Sequence, residues 1–238
     1  WNNPPATEEA YRYMQECGIN MVYVWANTPA ALEGHLTLGE KYGVKIYPTM
    51  TSKKEAISVS EMNGNWLAKF ADYPALGGFN YMDEPGQNAY EGLGELAANH
   101  EANYSSVDYY VNLYPISFYA QNSENIGITY DEYVQKYCEA TISKLYNTRR
   151  LLSFDHYCMS LGTKGGYLGE TWLNTVETIA KYGVEYGAET IAFFLTTKHY
   201  AYLAQTYESL RFQANVYMAY GIRGFSHFTY AGGFSDYP

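Results

Sequence analysis

The feature that most limits what this chain can fold into is a unit repeated along nearly its whole length. Each repeat is an amphipathic helical stretch, a turn residue, and a short run of β-branched or aromatic residues. "PPATEEAYRYMQECG" reads as a helix capped by Thr7 and closed at Gly18, and "INMVYVW" at 19–25 reads as a strand. "PAALEGHLTLGEKYG", ending at Gly43, and "VKIYPTM" at 44–50 repeat the unit. Helical patterns then precede strands expected at 76–82, 108–115, 150–157, 190–197 and 223–230. Successive strand starts lie 25 to 42 residues apart, room for one strand, one helix and two loops.

Strict alternation of this kind implies a parallel sheet with helices packed against it. Seven strands are legible, and "WNNPP" reads as the loop leaving an eighth that lies before Trp1. Eight is the number that closes a (β/α)8 barrel. The expected fold is therefore α/β, a (β/α)8 TIM barrel with its first strand missing from this chain. Residues 1–238 are expected to form one domain cut from a longer protein, with additional domains in the full-length molecule. The competing architecture is a doubly wound open sheet. Against it, no Gly-rich dinucleotide turn follows an early strand. Polar residues instead gather after nearly every strand: Asn27, Thr51, Asp83 with Glu84, Asn112, Asp155 with His156, Thr197 to His199, and Thr229. Barrel active sites draw on several strand ends of one face in this way.

Composition narrows the partners. With a formal charge of −10 and only 15 Lys and Arg in 238 residues, the long-range field opposes a phosphate backbone, so nucleic acid is not expected. The sequence contains no uninterrupted apolar run long enough to span a bilayer. Cys17, Cys138 and Cys158 are widely spaced and fit neither a disulfide framework nor a zinc knot, which leaves buried thiols as the expectation. Aromatic residues make up 18% of the chain, with 28 Tyr and 4 Trp, and aromatic faces suit the C–H faces of sugars. Trp25, Tyr114, Phe118, Tyr119, Tyr157, Tyr200 and Tyr230 follow or end strands, where they could form such a platform, although each alone has a packing explanation.

The stretch "GGFNYMDEPG" ends a strand on two adjacent carboxylates, and Pro85 stops the strand there. Adjacent side chains point in different directions, so Glu84 is expected to reach substrate and Asp83 to hold a neighbour by hydrogen bonding. A helix N-terminal role for the pair is the plainer alternative. Asp155 in "LLSFDHY" ends a later strand on the same face, giving the two carboxyl groups that glycoside cleavage needs: one to protonate the leaving oxygen, one to attack the sugar or activate water. Its alternative is to orient His156 or Tyr157. His156, His199 and His227 also fall near strand ends, but no metal-ligand spacing occurs, so neither metal nor cofactor is expected. Trp25, Asp83, Asn112, Tyr114, His156, Tyr157, Thr197, His199 and Tyr230 complete the expected substrate-binding set.

"GGFNYMDEPG", "YYVNLYP", "SFDHY" and "RFQANVYMAYGIRGFSHFTY" together resemble the barrel of glycoside hydrolase-like proteins related to the large retaining clan, often labelled β-galactosidase-like. The resemblance spans nearly the whole chain. In that clan the general acid/base is a Glu at the end of the fourth barrel strand, usually preceded by Asn; carried over, it is Glu84, with Asp83 in place of the Asn. The clan's nucleophile is a Glu ending the seventh strand, yet "IAFFLTTKHY" offers Thr196, Thr197, Lys198 and His199 and no carboxylate. The resemblance and the residues together lead to a hydrolase of O-glycosidic bonds in an oligo- or polysaccharide, with Glu84 as general acid and Asp155 as nucleophile or base. A non-catalytic glycan-binding barrel and a metal-dependent hydrolase stand as alternatives. A carbohydrate substrate and an extracellular or periplasmic location go with the leading reading.

Overall fold

The computed structural model describes residues 3–50, 56–162, 165–199 and 202–229. Local signals set most of the elements. The first helix, α1 (Glu8–Glu16), starts where the Thr7 hydroxyl accepts from the Ala10 N–H, with Glu8 and Glu9 favoured by the helix dipole. It leads to β1 (Met21–Val24). Helix α2 (Pro29–Tyr42) is capped by Thr28, has proline at its first position and ends at Gly43 in the left-handed region, φ 71°. After β2 (Lys45–Pro48) come α3 (Val59–Gly64), opened by a Ser58/Glu61 capping box, and a 3-10 turn at Trp66–Phe70. Then follow β3 (Gly78–Asp83), α4 (Tyr90–Asn103), β4 (Asp108–Leu113), α5 (Tyr130–Ala140) and β5 (Leu151–Asp155). The remainder is β6 (Met159–Gly162), β7 (Gly165–Leu168), α6 (Trp172–Glu185), β8 (Glu189–Leu195), α7 (Tyr207–Ala219) and β9 (Gly224–Phe228).

Strands β3, β4, β5, β8 and β9 form a five-stranded parallel sheet in that order, and β1 pairs parallel with β2. Parallel bridges Ile46–Leu76 and Thr49–Asn80 join the two pieces. Across the remaining seam the Tyr23 and Ser226 hydroxyls lie 3.3 Å apart, bringing β1 round to β9. The result is a curled parallel sheet wrapped in helices, a partial (β/α)8 barrel in which the described residues supply seven of the eight strands. One departure from the sequence reading is β6 with β7, an antiparallel hairpin that the helix–strand repeat did not announce. A second is Cys17, which is exposed; only Cys138 and Cys158 are buried.

Side-chain alternation divides the apolar residues into two cores. Outward-facing Ile46, Phe79, Tyr81, Tyr109, Val111, Leu152, Phe154, Ala192 and Phe194 pack under the helices. Inward-facing Tyr47, Tyr110, Leu151, Ile191, Phe193 and Leu195 fill the barrel with Tyr23 and Phe228 against them. Tyr23 and Tyr110 approach to 4.8 Å between ring centroids, so the interior is a packed layer of rings rather than a pore. Beneath them, at the amino-terminal mouth, Asp108 accepts from the Tyr47 hydroxyl and from both Nε and Nη2 of Arg149. A Cβ at Gly78 would lie 2.4 Å from the Asp108 carbonyl oxygen, so glycine lets β3 approach β4 closely here. No helix among the described residues is long and apolar enough to cross a membrane.

Candidate active site

The carboxyl-terminal mouth opens into a cavity of about 1380 Å³. Its floor is built by register. Asp83 pairs with Asn112 across β3 and β4, and Asn112 with Ser153 across β4 and β5, which sets Asp83, Asn112 and Asp155 side by side. The Asn112 Nδ2 donates to Asp83 Oδ1 at 3.1 Å and to Asp155 Oδ1 at 3.0 Å. Its Oδ1 accepts from the Ser153 hydroxyl at 3.0 Å, and Ser153 accepts in turn from Tyr110 at 2.7 Å. A single amide therefore spans two carboxylates, with its orientation fixed from below.

Glu84 follows at once, with φ 50°, a left-handed conformation uncommon outside glycine. Its N–H donates to the Asn112 carbonyl at 2.8 Å, and the next carbonyl, of Pro85, accepts from the Tyr133 hydroxyl at 2.8 Å. These bonds hold a strained backbone that turns the Glu84 side chain into the cavity wall.

The electrostatics single out Asp155. Desolvation, then the neighbouring Asp83 charge, push its carboxyl up to about 7, outweighing the hydrogen bonds from Asn112 and Tyr157 that favour the ionised form. The mouth's histidines move the other way. Burial pushes His156 down to about 4 and lowers His199, so both imidazoles are neutral near pH 7. His156 is held between Thr175 Oγ1, 2.8 Å from Nδ1, and Ser117 Oγ, 3.5 Å from Nε2.

Of the residues expected from the sequence, Glu84, Asp155, Tyr114, His156, Tyr157 and His199 line the cavity. Exposed Asp83 and buried Asn112 belong to the hydrogen-bonded row but are not among the lining residues. Trp25 and Thr197 are not among the lining residues; the Trp25 N–H is engaged by Asn3 Oδ1 at 2.7 Å. Tyr230 lies outside the described residues, as does Tyr200. The sequence reading missed Ser117, Asn122, Glu124, Glu170 and Tyr202, all on the wall. The one signal for the first three was the length of the loop after β4, since long loops at a barrel mouth carry function. After β8 the chain runs through Thr196, Thr197, Lys198 and His199 with no carboxylate. Among the described residues, no group of three or more His, Cys, Asp or Glu side chains is placed to hold a metal ion.

No protein-family model matches the chain, and no curated protein does. Solved structures do. A protein assigned as an α-L-fucosidase from Bacteroides thetaiotaomicron superposes with a TM-score of 0.62 at 13% identity, over 96% of this chain and 80% of that one. The endoglucanase Cel5A of Pseudomonas stutzeri gives 0.53 at 13% identity, over 97% and 79%. The D-psicose 3-epimerase of Clostridium cellulolyticum H10 gives 0.51 at 12% identity, over 95% and 81%. An isomerase among them underlines that this fold hosts unrelated chemistries, so the likeness carries architecture and the site must carry function. What the chain shares with these glycosidases is the TIM-barrel fold, with seven of its eight strands supplied by the described residues.

Proposed function

We propose that the protein is a glycoside hydrolase whose working pair is Asp155 and Glu84. The observation that carries the reading is that these two acids edge one cavity at the carboxyl-terminal mouth, with Asp155 joined through the Asn112 amide to Asp83, whose charge adds to desolvation in raising the proton affinity of Asp155. A carboxyl group that holds its proton, facing the same cavity as a second acid, is what acid-assisted departure of a sugar requires. Asp155 is then the proton donor to the glycosidic oxygen, and Glu84 is the group that meets the anomeric carbon directly or activates a water against it. This reading exchanges the roles expected from the sequence, on the ground that desolvation and the Asp83 charge raise the proton affinity of Asp155. Asn112 positions Asp155, and Asp83 keeps its proton affinity high.

The reading is tested on a panel of oligosaccharides, followed by a pH profile on whichever glycan turns over. If Asp155 is the acid, kcat/KM falls as pH rises through about 7. A rate that instead climbs through that pH makes Asp155 the base and restores Glu84 as the acid. The absence of a carboxylate after β8 favours a second reading, a barrel that binds glycans without cutting them. Saturable oligosaccharide binding with no product after long incubation would select it.

A further inference from the structure

The walls of the cavity indicate which glycans it takes, an inference that rests on the hydrolase reading only for the location of the site. One wall is the loop at 116–128. It is fastened by Asn125, a buried residue whose Oδ1 accepts from the Gln87 N–H at 2.9 Å and whose Nδ2 donates to the Tyr119 carbonyl at 2.8 Å. The loop carries the exposed ring of Phe118 and the carboxylate of Glu124 to the cavity. Glu124 sits directly over the backbone two residues from Glu84: a Cβ at Gly86 would lie 2.4 Å from Glu124 Oε2. The second wall is aromatic, with Tyr157 and Tyr202 edge to face at 5.2 Å between centroids and His199 stacked on Tyr202 at 6.3 Å.

Two quantities then restrict the occupant. The cavity, about 1380 Å³, exceeds the roughly 300–1,000 Å³ that encloses a single drug-sized ligand, so it has room for several sugar rings. Its described lining includes Glu84, Glu124, Asp155 and Glu170 and no Lys or Arg side chain. An anionic sugar entering there meets the like charge of the glutamates with no cation among the described lining residues to offset it. We infer that the cavity binds an uncharged oligosaccharide of several rings, one end against Phe118 and Glu124 and the other against Tyr157 and Tyr202, and rejects uronate or sulfated chains.

Titration calorimetry on the wild-type protein tests this without relying on turnover. The probes are the β-1,4-linked hexaoses and trioses of glucose, mannose and galactose, together with hexagalacturonate. At least one neutral hexaose should bind about tenfold more tightly than its triose and than hexagalacturonate. The margin over the uronate should narrow as salt is raised. Phe118→Ala should weaken the hexaose severalfold while leaving the triose nearly unchanged, and Glu124→Gln should narrow the discrimination against the uronate. A uronate that binds as well as the best neutral hexaose, a hexaose no tighter than its triose, or no binding by any neutral probe would overturn the inference. Neutral hexaoses that bind in this pattern but are never cut leave it standing and remove the hydrolase reading. Cleavage with no preference for length or charge does the reverse.

Discussion

The two mouths of the barrel each hold an aspartate on a strand end, and the chain treats the two acids in opposite ways. At the amino-terminal mouth Asp108 is held by one cation and one hydroxyl: Arg149 engages both carboxylate oxygens, Tyr47 donates to one, and Glu189 lies 3.7 Å from the same guanidinium. At the carboxyl-terminal mouth Asp155 has a second carboxylate for a neighbour and only neutral donors, Asn112 and Tyr157, for partners. The first arrangement lowers the energy of the folded state. The second raises it and keeps a proton where a reaction could use it.

The largest expected effect is on chemistry. Glu84→Gln and Asp155→Asn should each lower turnover of a cleaved glycan by about 10² to 10⁴ with an unchanged circular dichroism spectrum. If either variant keeps more than a tenth of the wild-type rate, the contrast between the mouths has no catalytic meaning for that residue. Next in size is the amino-terminal mouth. Arg149→Met leaves Asp108 without its cation, and because the Arg149 side chain is half exposed the loss is discounted to about 2 kcal/mol in urea unfolding. Activity per folded molecule should stay as it was. A loss of turnover without a loss of stability would mean that the mouths are coupled.

Asp155→Asn should also change stability, with a sign that depends on pH. The folded-state pKa, about 7, lies above the ordinary carboxylate value of 3.8, so between them the unfolded chain releases a proton that the native protein retains. Wild-type stability therefore falls as pH rises across that window. The neutral amide escapes this loss while keeping an oxygen for Asn112 to donate to. Relative to wild type, the variant should gain about 1–2 kcal/mol at pH 8, allowing for the solvent that reaches the cavity, and nothing at pH 3. Equal melting curves at both pH values would show that Asp155 is ionised without penalty in the folded protein, and would remove the reason for naming it the acid.

Much of this architecture is legible in the sequence because it rests on local signals. The caps at Thr7, Thr28 and Thr129 and the stops at Gly18 and Gly43 bracket helices, and Val, Ile, Tyr and Phe runs mark the seven parallel strands. The β6–β7 hairpin escaped because its strands, MSLG and GGYL, are Gly-rich and contain no β-branched residue. Glu84 and Asp155 were findable because a strand end has a definite place in a barrel. The row joining Asp83, Asn112 and Asp155 was not, since it depends on cross-strand register, which no single strand encodes. Glu124 and Glu170 were hidden for a related reason: a loop's return to the mouth is set by tertiary contacts such as Asn125 with Gln87.

The smallest expected effect comes from that row and probes the contrast most finely. Ser153 lies below Asn112 and donates to its Oδ1, so the Nδ2 hydrogens must face the two carboxylates. Ser153→Ala removes the donor and leaves the amide free to turn, which would point an acceptor at Asp83 and Asp155 and withdraw a bond that favours their ionised forms. The cost in stability should be about 1 kcal/mol, since Tyr110 also loses one of its partners. The informative readout is the pH profile: the fall in kcat/KM near 7 should move to higher pH, with kcat at low pH changed only severalfold. A profile that stays in place while stability drops would mean that Asn112 keeps its orientation unaided, and that the serine serves the barrel's packing rather than the acid above it.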